Sequence, residues 1–247
     1  MSIKTILVSQ PKPEGKKSPY YDLAEKYGLK IDFRSFIHVE GIGSQEFRTQ
    51  KIDLADHTAI ILTSKTAVNH YFRIAEEMRF EVPDTMKYFC ISEAVAYYLQ
   101  KYVAYRKRKI FFGKQTIVDL IDVLKKHKKE KFLLPCTDRL RDNIPVTLEE
   151  NDLNFTKAVL YRTVASDLSD LENVQYDMLV FYSPGGIESL LKNFPKFKQK
   201  ETVIAAFGPT TANAIVKNKL RLDLHAPQPN APSMTGAIEN FVKDSNK

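Results

Sequence analysis

Chemistry in this chain is concentrated where an apolar run ends and a helical pattern begins. In Thr202–Val216 (TVIAAFGPTTANAIV) the run from Val203 to Phe207 stops at Gly208-Pro209, after which Ala212, Ile215 and Val216 recur at helical spacing. A buried strand turning into a helix accounts for that pattern. Proline suits the first helical position, where its missing N–H would have no acceptor, so Thr210 and Thr211 fall in the first turn with amides and hydroxyls turned out of the helix end. Free amides and the positive pole of the helix dipole coincide there, which makes the end attractive to anions. The plainer reading is a tight corner with ordinary capping threonines. Ser64 in TSKTAV, Ser92 in ISEAVAYYL and Ser183 in YSPGGIESLL occupy comparable junctions, and plain N-capping is again the alternative.

Other reactive side chains are scattered. The five histidines (His38, His57, His70, His127 and His225) form no HExxH motif and no close pair, which argues against a metal centre or a Ser-His-Asp triad. Cys90 and Cys136 stand apart in apolar strand-like runs without a CxxC pattern, so buried free thiols are expected.

The elements that position these junctions read as α/β. Strands are expected at Ile3–Val8, Ala59–Leu62, in KYFCI, RKIFF and KFLLP, and again before Ser183 and Gly208, each with a helical pattern close behind. A short helix from Pro19 to Tyr27 ends at Gly28, and Asp138 is read as opening another. The last helix carries Met234, Ala237, Ile238, Phe241 and Val242 on one face. Ser64 to Ser92 spans 28 residues and Ser183 to Gly208 spans 25, a weak internal repeat. It predicts two similar α/β domains with parallel sheets flanked by helices. Two long extended runs, Leu29–Val39 and Phe155–Val164, flank the middle segment. They are read as a two-stranded linker at about 30–40 and 155–164. Residues 1–37 and 165–247 would then form one discontinuous domain, with 38–164 inserted as the other.

Composition narrows the partners. The 43% hydrophobic content is globular, and no apolar run approaches the about 18 residues of a membrane span. The N-terminal apolar run is too short for a signal peptide, so a cytoplasmic protein without a membrane partner is expected. A net charge of +7 favours an anionic partner, whether nucleic acid, phosphate ester or polycarboxylate. The clusters RKRK (Arg106–Lys109) and KKHKKEK (Lys125–Lys131) read as solvated surface charge, and no nucleic-acid-binding signature accompanies them.

Several motifs, in order, resemble the uroporphyrinogen-III synthase family. They are ILTSKTAV at 61–68, LLPC at 133–136 followed by Arg141, VLYRTV at 159–164, FYSPGG at 181–186, AAFGPTTA at 205–212 and the prolines of 226–232. The match covers most of the chain and is densest after residue 131. Two departures stand in the middle segment: Thr66 beside Lys65 where the family often has arginine, and Ile91-Ser92-Glu93 where a glycine-containing turn is usual.

The resemblance implies a HemD-like fold of two α/β domains on a two-stranded linker with a cleft between them. It implies an enzyme that cyclises hydroxymethylbilane to uroporphyrinogen III with loss of water and inversion of the last pyrrole ring. No cofactor or metal is implied. A monomer is expected, with transient contact to the preceding pathway enzyme. Tyr161, in VLYRTV, is the expected proton donor to the departing hydroxyl, against the alternative of a strand tyrosine packed for its ring. Ser64, Thr66, Ser92, Arg141, Ser183, Gly185, Gly208, Thr210 and Thr211 are the expected contacts to the eight substrate carboxylates. A non-catalytic two-lobed binder of an anionic small molecule is the alternative.

Overall fold

The computed structural model describes residues 3–15, 17–139, 143–172 and 174–245. The chain divides into two compact units, one of residues 1–38 with 164–247 and one of residues 39–163. It begins with β1 (Thr5–Val8), α1 (Pro19–Tyr27) and β2 (Lys30–Phe33), and leaves the first unit along β3 (Ile37–Gly41). The second unit contains α2 (Ser44–Thr49), β4 (Ala59–Leu62), α3 (Lys65–Glu77), β5 (Lys87–Cys90), α4 (Glu93–Leu99), β6 (Ile110–Phe112), α5 (Ile121–Lys126), β7 (Phe132–Thr137) and α6 (Asn143–Glu149). From it β8 (Phe155–Ala165) leads back to β9 (Met178–Phe181), α7 (Pro184–Asn193), β10 (Val203–Phe207), α8 (Pro209–Lys217), β11 (Leu224–Ala226) and α9 (Met234–Ser245).

The first unit holds a five-stranded sheet in the order β11-β10-β9-β1-β2. All of its pairs are parallel. Ile6 and Val8, Met178 and Val180, and Val203 and Ala205 face one core with α1 and α9. Leu7, Leu179, Phe181, Ile204 and Ala206 face the other with α7 and α8. Strands buried on both faces need continuous apolar runs, which is what ILV, MLVF and VIAAF supply. Each fully buried aliphatic side chain contributes about 1.5–3 kcal/mol.

The second unit repeats this logic. Its six-stranded sheet runs β3-β8-β7-β4-β5-β6. Ile60 and Leu62 of β4 face the α3 and α4 side, whereas Ala59 and Ile61 face the α5 side. If β9, β10 and β11 are matched to β4, β5 and β6, and β1 and β2 to β7 and β8, the two units share one strand order. The parallel sheet is the same, and the chain enters it at a different strand in each unit. In both, the order of connections reverses next to the strand that ends in a capping serine, between β9 and β1 and between β4 and β7. A crevice opens at such a switch point beyond the carboxyl ends of the strands.

Two sequence expectations are corrected. Leu29–Val39 is not one linker strand: β2 ends where the Arg34 N–H donates to the Val8 carbonyl at 3.0 Å. Phe36 then turns inward, 1% exposed and edge-on to Phe181 at 5.7 Å, before β3 starts at Ile37 beside β8. Burying that ring at the break is incompatible with a straight strand. Nor does Asp138 open a helix. Its N–H donates to the Tyr161 carbonyl at 3.2 Å, which prolongs the β7–β8 ladder, and the described residues of α6 are Asn143–Glu149.

One carboxylate pins β1 to β9. Asp177 accepts from the Lys4 N–H at 2.9 Å, the Thr5 N–H at 2.8 Å and the Thr5 hydroxyl at 3.0 Å. Partial burial pushes its pKa up, but these bonds and the Lys4 charge outweigh it and hold the carboxyl below the usual range. A depressed folded pKa gives stability that is present above the unfolded value of about 3.9 and lost as pH falls through the folded one. Asp177→Asn should therefore lower the melting temperature at pH 7, by about 1 kcal/mol in stability once its exposure is allowed for. The gap from the parent should close below about pH 4. A gap that stays constant from neutral to acid pH would contradict this role.

Candidate functional site

In the second unit the site is built around Tyr161. Cys136 pairs with Val159 but Thr137 pairs with Tyr161, so Leu160 is an extra residue in β8. Regular alternation would send residues 160 and 161 to opposite faces, whereas the bulge puts both in the core under α3 and α4. Tyr161 is left 8% exposed, and its phenol lies near enough to the Ser64 side chain for that hydroxyl to act on its pKa. Burial pushes the phenol pKa up, the Ser64 hydroxyl opposes this, and the neighbouring Cys136 thiol adds to it, leaving the group above its usual value. At neutral pH the phenol keeps its proton.

Ser64 has extended backbone (φ −164°, ψ 163°) and caps α3, its hydroxyl oxygen accepting from the Ala67 N–H at 3.0 Å. The first-turn amides of Lys65 and Thr66 come too early in the helix to have intrahelical acceptors, and Thr66 is half-buried. Ser92 opens α4 at the end of the adjacent strand β5. Its carbonyl accepts from the Val95 and Ala96 N–H groups at 3.1 Å each, and its hydroxyl makes no capping bond. Arg141 lies outside the described residues.

In the first unit Ser183 and Gly208 end the neighbouring strands β9 and β10. Ser183 caps α7, its hydroxyl oxygen accepting from the Gly186 N–H at 3.4 Å with Pro184 at the first helical position. Gly185 follows in the first turn, where an added Cβ would meet Ile37 at an ordinary 3.4 Å. Gly208 begins α8 with φ 83° and ψ 152°, a conformation open to glycine alone. Its N–H donates to the Ala226 carbonyl at 2.7 Å, which fixes that conformation. Thr210 is exposed in the first turn. Thr211 departs from expectation: at 1% exposure its hydroxyl is packed away and not turned out of the helix end.

Three side chains near these sites escaped sequence reasoning. The Tyr20 and Tyr182 hydroxyls are 2.7 Å apart, and burial raises both pKa values. Tyr182 directly precedes the capping Ser183, the one local hint. His70 stacks on Tyr161 with ring centroids 5.0 Å apart and planes at 21°. Its sequence context offers only a metal or triad role, and it fits neither pattern. The basic clusters lie mostly exposed, and Arg106 pairs with Asp84 at 3.2 Å. Burial raises the Cys136 thiol to about 11 and the Cys90 thiol to about 12, which makes both poor nucleophiles.

Among the described residues no group of three or more His, Cys, Asp or Glu is arranged to hold a metal ion. No helix among them is long and apolar enough to cross a membrane. What the two sheets present is therefore a set of helix starts at their carboxyl ends, and in the second unit a neutral phenol beside one of them.

The family model for uroporphyrinogen-III synthase HemD matches residues 18–236. The chain belongs to the uroporphyrinogen-III synthase HemD family. Membership makes it a cyclising enzyme of tetrapyrrole biosynthesis. The fold is similar to that of uroporphyrinogen-III synthetase from Helicobacter pylori, which is 17% identical with a TM-score of 0.59 over 98% of this chain and 99% of that one. A variant uroporphyrinogen III synthase of Thermus thermophilus is 14% identical with a TM-score of 0.51 over 98% of this chain and 99% of the other. No curated protein matches the chain significantly.

The Gly208 backbone gives a direct test. Nothing lies within 4 Å of a Cβ added there, so a side chain would not crowd the helix end, and the cost lies in φ. Gly208→Ala should destabilise by about 1–2 kcal/mol, read from urea unfolding. An unchanged midpoint would show that the start of α8 relaxes freely.

Proposed function

We propose that this chain closes hydroxymethylbilane to uroporphyrinogen III, with Tyr161 as the proton donor that helps water leave. The observation that carries the assignment is the buried, protonated Tyr161 phenol beside Ser64 at the start of α3. Protonation of the departing hydroxyl breaks the C–O bond and leaves a cationic azafulvene. The last pyrrole ring attacks that carbon to give a spiro intermediate, and its bond to its own bridging carbon breaks and re-forms at the ring's other α-carbon. The proton lost there as the ring rearomatises restores the phenol. A neutral phenol can supply that proton or a strong hydrogen bond without a metal.

The substrate's carboxylates suit helix starts electrostatically. Ser183, Gly185, Gly208 and Thr210 in the first unit and Ser64, Thr66 and Ser92 in the second are the groups assigned to them. Arg141 belongs to the same set through its place after LLPC. Thr211 could join only after a local rearrangement that exposes it. Because unassisted closure joins the rings without inversion, much of the work is positioning. In this reading the chain acts as a cytoplasmic monomer and receives its substrate in transient contact with the preceding enzyme of the pathway.

Tyr161→Phe keeps the ring and its packing and removes only the hydroxyl. Stability should change by no more than about 1 kcal/mol. Turnover of hydroxymethylbilane should fall roughly 100-fold, with the product isomer unchanged. A variant that turns over at the parent rate would make Tyr161 a packing residue.

A further inference from the structure

The other face of the Tyr161 assembly is a side-chain lattice on α3 that the reaction itself does not require. Arg73 donates from Nε to His70 Nδ1 at 3.1 Å. Its Nη2 donates to the Ile42 carbonyl at 2.7 Å and to the Leu160 carbonyl at 3.2 Å. Leu160 is the bulge residue, so one guanidinium grips the backbone immediately before Tyr161 and the imidazole that lies on its ring. Arg73 Nη1 pairs with Glu77, whose carboxylate accepts from the Ser44 N–H at 3.0 Å at the start of α2. The position is so close to β3 that a Cβ on Gly41 would come within 2.6–2.8 Å of three guanidinium atoms. Only glycine leaves that space open.

Because Nδ1 accepts from Arg73, the imidazole carries its proton on Nε2. Burial, and then the Arg73 charge, lower the His70 pKa, so the ring is neutral at physiological pH. A neutral ring can lie flat on Tyr161 without drawing the phenol toward ionisation.

We propose that His70, locked by Arg73 across Gly41, is the positioning residue that holds the Tyr161 hydroxyl at the Ser64 end of α3. The inference rests on the reading of Tyr161 as proton donor. His70 does not touch the reacting atoms in this scheme; it acts through the ring it covers, and Arg73 acts through the bulge. Three polar groups of this clamp lie on α3 (His70, Arg73 and Glu77), two on the chain from Gly41 to Ser44 (the Ile42 carbonyl and the Ser44 N–H) and one on β8 (the Leu160 carbonyl).

A double-mutant cycle tests it on the full-length enzyme. His70→Ala should lower kcat about 10- to 100-fold with little change in KM, the scale expected for a misplaced catalytic group. In the Tyr161→Phe background the same change should cost nothing further. His70→Phe, which keeps a flat ring, should restore most of the loss, and Gly41→Ala, which displaces the guanidinium, should reproduce part of it. Equal losses from His70→Ala in both backgrounds, or none in the parent, would overturn the proposal. A readout independent of turnover separates the two readings: NMR of the protein labelled with 13C at tyrosine Cζ, with the Tyr161 signal identified by its disappearance in Tyr161→Phe. If Tyr161→Phe leaves turnover intact, the proton-donor reading fails, yet a Tyr161 signal that moves in His70→Ala and Gly41→Ala still supports the clamp. A signal unmoved in both removes it.

Discussion

A parallel sheet covered by helices on both faces leaves its ligands one place to go. The apolar runs of β1, β4, β9 and β10 are buried on either side, so no side chain from the middle of these strands reaches solvent. Every strand-to-helix turn falls at the carboxyl edge, and there the first-turn amides remain without helical acceptors. Ser64, Ser92, Ser183 and Gly208 lie at that edge because the sheet allows no alternative. An enzyme whose substrate carries many carboxylates can be built on such edges with few charged side chains, since the helix starts supply oriented donors.

Chemistry beyond binding requires a departure from regular sheet geometry. One extra residue in β8 turns Tyr161 onto the helix-covered face, where it meets the cap of α3. Ser64 serves two neighbours at once. A hydroxyl has two acceptor sites and one donor, so it can accept from the Ala67 N–H and keep its own O–H for the phenol beside it. Arg73 adds a second donor to the Leu160 carbonyl, which already accepts from the Ile42 N–H at 3.0 Å. The bulge, the cap and the guanidinium are parts of one arrangement around the phenol.

How much of this was legible in the sequence depended on distance along the chain. The junctions at Ser64, Ser183 and Gly208 could be read because an apolar run and its capping residue are adjacent, and the parallel α/β class followed from their alternation. Local pattern could not show the inward turn of Phe36, since its ring packs on Phe181, nor the burial of Thr211 on the packed side of α8. Asp138 looked like a helix start because aspartate caps helices, but its backbone was already engaged by β8. The bulge leaves no mark in VLYRTV. His70 and Gly41 carry no motif at all, and their roles exist only once Arg73 brings β3, α3 and β8 together.

The central claim is that these helix starts and the Tyr161 phenol carry out cyclisation with ring inversion. The most direct measurement is to incubate the purified chain with freshly prepared hydroxymethylbilane, oxidise the products and separate the uroporphyrin isomers by chromatography. The account predicts isomer III in excess over a protein-free control. Isomer I alone, at the rate of unassisted closure, would contradict it.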